Sequence, residues 1–227
     1  MTGAFDIALD LTENTKIGEG KFREAYAIRD GLCAKVLKST IVKSYPCGIK
    51  IKLPGRLYAR AEYFVEDLNR TEMDNYRWLV ENIAFEDRKY FGKIHVVIDS
   101  KRYGTVLIAE RITNADGSTS RDLLHEQTIE TEFWEGFDRI SEIFMRYAIP
   151  HFGLGGGNLV VKKDAESVYP VLIDYKKIGA RFFPLQPWIH LPFFAARKVA
   201  RSMTKIRNEF KPEPISVTPA LTDLSHG

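Results

Sequence analysis

The sequence predicts an α+β fold built as two unequal lobes. Three observations predict it. Short extended runs crowd the first half, a polar connection near residues 112–120 interrupts the pattern, and the second half carries the long helical stripes. The 227 residues are enough for two small lobes around a cleft.

The elements follow in order. "TKIGEGKFREAYAIRD" reads as two extended runs around a Gly-containing turn, and "LCAKVLK" as a third strand entered through Asp30-Gly31. Residues 38–60 form a basic connection with two prolines and two glycines, larger than a strand-to-helix link needs. A helix is expected from about Ala61 to Val80. "KIHVVIDS" and "GTVLIAER" make a further hairpin around "KRYG". In "EFWEGFDRISEIFMRYAI" apolar residues recur at 133, 137, 140, 144 and 147, a helical spacing. "NLVVKK" and "YPVLIDY" are strands, and "PFFAARKVARSMTKIRNEF" is a final basic helix. The expected organisation is an N-terminal arm over 1–14, an N-lobe over 15–112, a C-lobe over 113–210 and a loose tail over 211–227.

Composition narrows the function classes. A hydrophobic share of 44% with 28% charged residues describes an ordinary soluble domain. The net charge of +3 is too small to argue for nucleic acid. Cys33 and Cys47 offer no disulfide framework and are read as reduced thiols. The N-terminus shows no basic start followed by an apolar run, and no stretch reaches the length of a membrane span, so a cytoplasmic location is expected; a monomer is the expected state, which the sequence does not itself fix. The last helix carries Arg197, Lys198, Arg201, Lys205 and Arg207. Its basic face is read as solvated rather than as a membrane-surface contact.

Two charges stand on apolar faces. Strand alternation sets Cys33, Lys35 and Leu37 on one side of their strand. Leu68, Glu72, Tyr76 and Leu79 share one stripe of the following helix. Buried charges normally pair, so Lys35 and Glu72 are expected to meet. The alternative places both near an edge, with the lysine stem buried and its head in water. Gly18 and Gly20 lie between two strands, where backbone N–H groups can face a phosphate; a plain turn is the simpler alternative. Arg23 stands where a third glycine of such a loop would be. Centring the turn between the last two strands on Glu166 sets Asn158 directly opposite Asp174. An amide beside a carboxylate at a strand mouth suits a hard cation such as Mg²⁺; strand-end capping is the alternative.

In this order the pieces resemble the protein-kinase-like fold: a glycine hairpin, a strand lysine, a helix glutamate, a hinge, a catalytic loop and a metal-binding aspartate. "LIAERI" corresponds to the strand entering the hinge, "HFGLGGGN" to the H-R-D-x-x-x-x-N loop, and "DYKKIG" to the D-F-G segment. More narrowly, "IGEGKFREAYAI", "LCAKVLK", "RTEMDNYRWL", "NLVV" and "VLIDYKKIG" with the basic tail helix resemble the small bacterial YrbL family, kinase-like proteins of the PhoP regulatory network. The resemblance spans roughly residues 15–210. It implies an antiparallel-sheet N-lobe with one helix and a small helical C-lobe. It implies that Lys35 binds the α- and β-phosphates of ATP and pairs with Glu72, under a cover formed by Gly18 and Gly20. Glu110 to Ile112 would lie beside the adenine, and Asn158 and Asp174 would hold Mg²⁺.

The same alignment marks departures. His151 takes the histidine place, a packing position in such folds, and is the side chain there that could substitute as a base. Gly153 takes the place of the catalytic aspartate, Gly155 that of the loop lysine, and Tyr175 that of the D-F-G phenylalanine. The glycines at 153 and 155–157 could form a backbone anion nest. Three functions remain open: an ATP- and Mg²⁺-dependent phosphotransferase acting on a protein, sugar or lipid head group; a pseudokinase that binds nucleotide and regulates a partner; and an enzyme transferring AMP from ATP.

Overall fold

The structure is a computed structural model describing residues 11, 14–29, 31–39, 49–52, 62–65, 67–147, 149, 154–175 and 192–210. Its first half is an antiparallel five-stranded sheet. The strands are β1 (Lys16–Glu19), β2 (Arg23–Arg29), β3 (Leu32–Leu37), β6 (Ile94–Ser100) and β7 (Gly104–Glu110), in the order β1-β2-β3-β7-β6. Gly31, with φ +66, supplies the left-handed residue that turns β2 into β3.

Both faces of this sheet are covered. Ala34, Val36, Val106 and Ile108 form one face together with Leu11, whose backbone N–H donates to the Tyr103 hydroxyl. Cys33, Leu107 and Ala109 form the other, against helix α1 (Leu68–Asn82), which contributes Met73 and Leu79. β3 and β7 are therefore buried on both sides, and Lys35 points to the face that α1 covers.

The helix begins later than the sequence pattern predicts. Residues Glu62–Val65 form a strand, β5, paired with β4 (Ile49–Lys52). The apolar run Tyr63-Phe64-Val65 suits a strand as well as a helix. What starts α1 is Asp67, whose Oδ1 accepts from the backbone N–H groups of Asn69 (2.9 Å) and Arg70 (3.1 Å).

The second half packs helix α2 (Thr131–Arg146) against the hairpin β9 (Leu159–Lys163) and β10 (Val168–Leu172), with β8 (Arg121–Asp122) paired to β9. The predicted stripe of α2 is buried at Phe133, Phe137, Ile140 and Phe144. Helix α3 (Pro192–Phe210) buries Val199, Met203 and Ile206 and packs on α2, while Arg197, Arg201 and Lys205 stay exposed. Among the described residues, no helix is long and apolar enough to cross a membrane.

The β9–β10 register differs by one residue from the expectation. Val168 pairs with Lys163 and Leu172 with Leu159, so Ile173 faces Asn158, its N–H donating to the Asn158 carbonyl (3.1 Å). The turn is closed by Asp164 N–H donating to the Ser167 carbonyl. Val168 thus already belongs to the strand, and the turn is one residue shorter than a centre at Glu166 requires. Asp174 lies just past the strand end, where it is no longer bound by strict alternation.

Candidate functional site

β3 delivers Lys35 to the underside of the sheet and α1 delivers Glu72 opposite it. Lys35 Nζ donates to Glu72 Oε1 (2.8 Å) and to the backbone carbonyl of Ile173 (2.7 Å). One ammonium thus ties the N-terminal sheet to the helix and to the segment that carries Asp174. Glu72 is fully buried, which leaves its carboxylate dependent on protein partners alone.

Its second partner is Arg23, the residue that replaces a glycine at the end of the hairpin. Arg23 is buried and forms an ion pair with Glu72 Oε2. Its Nη1 donates to Asn69 Oδ1 (3.0 Å), and its Nη2 lies 3.9 Å from Asp174 Oδ1. Burial works against the Arg23 guanidinium, but Glu72 and Asp174 more than offset it and raise its pKa. Asn69, fully buried one turn before Glu72, donates through Nδ2 to the Thr105 carbonyl (2.8 Å) and more weakly to that of Lys35 (3.3 Å). Two cations and two carboxylates therefore form a neutral cluster, the arrangement that makes buried charge tolerable. Sequence reasoning missed Arg23 and Asn69. The available signal was positional: Asn69 lies on the Glu72 face of α1, and Arg23 replaces a residue that has no side chain.

Asp174 is fixed from both sides. Ile173 offers its carbonyl to Lys35, and Tyr175 offers its own to Asn75 Nδ2 (2.9 Å), one turn beyond Glu72. The fully buried Tyr175 hydroxyl is within 2.8 Å of the Gly92 carbonyl and 2.7 Å of the Leu172 carbonyl. Burial pushes its pKa well above the ordinary tyrosine value.

These elements border one cleft of about 800 Å³. Gly18, Gly20, Lys35, Glu110, Ile112, Asn158 and Asp174 all line it, while Glu72 sits behind Lys35. His151 and Gly153 lie outside the described residues. A Cβ at Gly18 or Gly20 would meet only ordinary contacts, at 3.8 Å from Ala25 Cβ and 3.6 Å from the Arg23 carbonyl. The fold itself does not require glycine at either position; their absent side chains leave the backbone open toward the cleft. The apolar part of the lining comes from Ile17, Ala25, Cys33, Ala109, Ile112 and Val160. Burial pushes the Cys33 thiol up, and its Sγ lies 3.6 Å from the Glu110 carbonyl. The charged and polar part includes Lys35, Arg23, Asn158 and Asp174.

The loop glycines have a packing explanation at two positions. A Cβ on Gly156 would sit 3.0 Å from both Leu124 and Phe210, and one on Gly157 would sit 3.1 Å from Leu124. Leu124 and Phe210 thus occupy the side of these residues where a side chain would project, while Gly157 also lines the cleft. Gly155 has open space around it. Among the described residues there is no group of three or more His, Cys, Asp or Glu side chains suited to a metal ion. A cation at Asn158 and Asp174 would therefore complete its shell with ligand oxygens or water.

No protein-family model matches the chain, and no curated protein matches it by sequence. Among solved structures, the chain is similar to the co-crystal structure of WbdD and the kinase inhibitor LY294002, with a TM-score of 0.42 at 14% identity. The match covers 81% of this chain and 44% of that one, so the chain spans less than half the length of that neighbour. The five-stranded sheet, the Lys35–Glu72 pair and the shared cleft, not this likeness, carry the kinase-like reading.

Proposed function

We propose that the chain binds Mg-ATP in this cleft and transfers the γ-phosphoryl group to an acceptor hydroxyl on a protein, a sugar or a lipid head group. One observation carries the reading. Lys35, Asn158 and Asp174 come from distant parts of the sequence and line a single cleft beneath the Gly18–Gly20 hairpin. The cleft volume lies within the roughly 300–1,000 Å³ usual for small-ligand sites. Its apolar lining suits a flat base beside Glu110 and Ile112, and its charged lining suits a polyphosphate.

The roles follow from the contacts. Glu72 holds the Lys35 ammonium in place, and Lys35 draws the phosphates toward Asp174. Asn158 and Asp174 would hold Mg²⁺, which neutralises phosphate charge when bound. Phosphoryl transfer runs through a loose transition state and depends chiefly on position and charge neutralisation. A base at the acceptor contributes about 10²–10⁴-fold, so Gly153 in the aspartate place slows transfer without forbidding it. Gly153 also favours a second reading, a nucleotide-binding regulator without transfer. Membership of the YrbL family, a bacterial cytoplasmic setting and a place in the PhoP network belong to the same proposal and rest on the sequence motifs.

The test uses Mg-ATP labelled on the γ- or the α-phosphate, with the wild type and Asp174→Ala. Transfer of γ-label that disappears in the variant supports phosphotransfer. Incorporation of α-label would replace it with AMP transfer. Nucleotide binding with neither label transferred would favour the regulator.

A further inference from the structure

The lining of the same cleft includes a histidine–carboxylate pair that none of the assignments above uses. His125 Nδ1 is 2.6 Å from Asp122 Oδ1, and both residues line the cleft. A carboxylate oxygen only accepts, so Nδ1 carries the hydrogen and Nε2 of the neutral ring keeps the lone pair. Asp122 is itself anchored: the same Oδ1 accepts from the backbone N–H groups of Leu124 (3.1 Å) and His125 (3.2 Å). The Asp122 side chain is 26% exposed and the His125 ring 73%, so the orienting group is held while the ring reaches solvent.

The fold brings this pair to the loop that carries Asn158. β8 pairs Asp122 with Val160, and Leu123 N–H donates to the Leu159 carbonyl (2.8 Å). Leu124 then closes over Gly156 and Gly157. The turn bearing His125 therefore rests against Gly156 and Gly157, and its solvent-exposed ring lines the same cleft as Asn158 and Asp174. This placement also gives a reason for two of those glycines: a side chain at either would push the Leu124 turn away.

We propose that His125 is the general base of this site, oriented by Asp122, and supplies what Gly153 does not. The inference rests on the phosphotransfer reading. In the step, the acceptor hydroxyl oxygen forms a bond to the γ-phosphorus and the bond from that phosphorus to the β,γ-bridging oxygen breaks. ADP leaves with that electron pair, and the hydroxyl proton passes to His125 Nε2. Asp122 is a positioning residue, which fixes the tautomer and stabilises the imidazolium that forms.

With no acceptor identified, water serves as the probe, and phosphate release from γ-labelled Mg-ATP is measured across pH on the full chain. Mg-ATP binding is followed separately by thermal shift. His125→Gln is expected to lower release by about 10²–10⁴-fold while leaving the nucleotide-induced shift intact. Imidazole should restore part of the rate to His125→Gly. Asp122→Asn should lower the rate while leaving the nucleotide-induced shift intact, and Asp122→Glu should restore part of it. Wild-type release that His125→Gln changes by less than threefold overturns the inference alone. Nucleotide binding without any release overturns it too and leaves the binding site standing. A wild type that binds no Mg-ATP overturns both this inference and the reading beneath it.

Discussion

Replacing Glu72 by Gln should destabilise the protein more than replacing its partner Lys35 by Met. The asymmetry comes from the number of charges each change strands. Glu72 is fully buried and faces both Lys35, at 2.8 Å, and Arg23. Glu72→Gln leaves two cations together with exposures of only 14% and 9%, and breaking a buried pair in this way costs about 3–5 kcal/mol. Lys35→Met leaves Glu72 still paired with Arg23. Its main loss is the charged donor to the Ile173 carbonyl, about 1.5–3 kcal/mol. Urea denaturation measures both. With a slope of about 3 kcal/mol/M, Glu72→Gln should move the midpoint down by about 1–1.7 M at unchanged slope. A loss below about 1 kcal/mol for Glu72→Gln, or a larger loss for Lys35→Met, would refute the picture of a carboxylate clamped between two cations.

Three further outcomes are expected. Gly136→Ala should cost about 1–3 kcal/mol, because its Cβ would lie 2.6 Å from Pro170 Cδ, whereas Gly155→Ala should change stability by less than about 0.5 kcal/mol; thermal or urea unfolding compares them. Tyr175 has a folded pKa above its unfolded value of 10.0, so the native state holds the proton more tightly; its stabilisation is full below about pH 10 and is lost as pH climbs beyond it. Stability-versus-pH curves should therefore fall at the alkaline end, and Tyr175→Phe should flatten that fall. In a Cys47→Ser background, a maleimide should label Cys33 slowly, since burial raises the thiol, and Mg-ATP should slow it further because Cys33 lines the cleft. Equal labelling rates with and without nucleotide would place the ligand elsewhere.

Much of the architecture can be read in the sequence because period and burial agree there. The Lys35–Glu72 contact follows from a charge on an alternating strand and another on a helical stripe, each of which must find a partner. The α2 stripe follows the same logic. Where two periods fit the same residues, reading fails: Tyr63-Phe64-Val65 suits strand or helix, and only the Asp67 cap decides. Hairpin register is lost for a related reason. A shift of one turn residue changes every pairing, and "DAESV" does not state whether Val168 belongs to turn or strand. In the sequence Arg23 reads as an absent glycine, since nothing local shows that its side chain turns inward to Glu72. The Asp122–His125 pair had no recognisable motif, and its place beside Asn158 depends on the non-local pairing of β8 with β9.

The central claim is that a single Mg²⁺–polyphosphate site lies between the lobes at Lys35, Asn158 and Asp174. Its most direct test is the melting temperature with ATP, in the presence of Mg²⁺ or of a chelator, for the wild type and Asp174→Asn. At a nucleotide concentration 100 times Kd the native state gains about 2.7 kcal/mol, which for a chain of this size raises Tm by about 5–10 °C. The account predicts that rise for the wild type with Mg²⁺, and a much smaller one for the chelated sample and for the variant. An unchanged wild-type Tm at millimolar Mg-ATP, or an equal rise in Asp174→Asn, would contradict it.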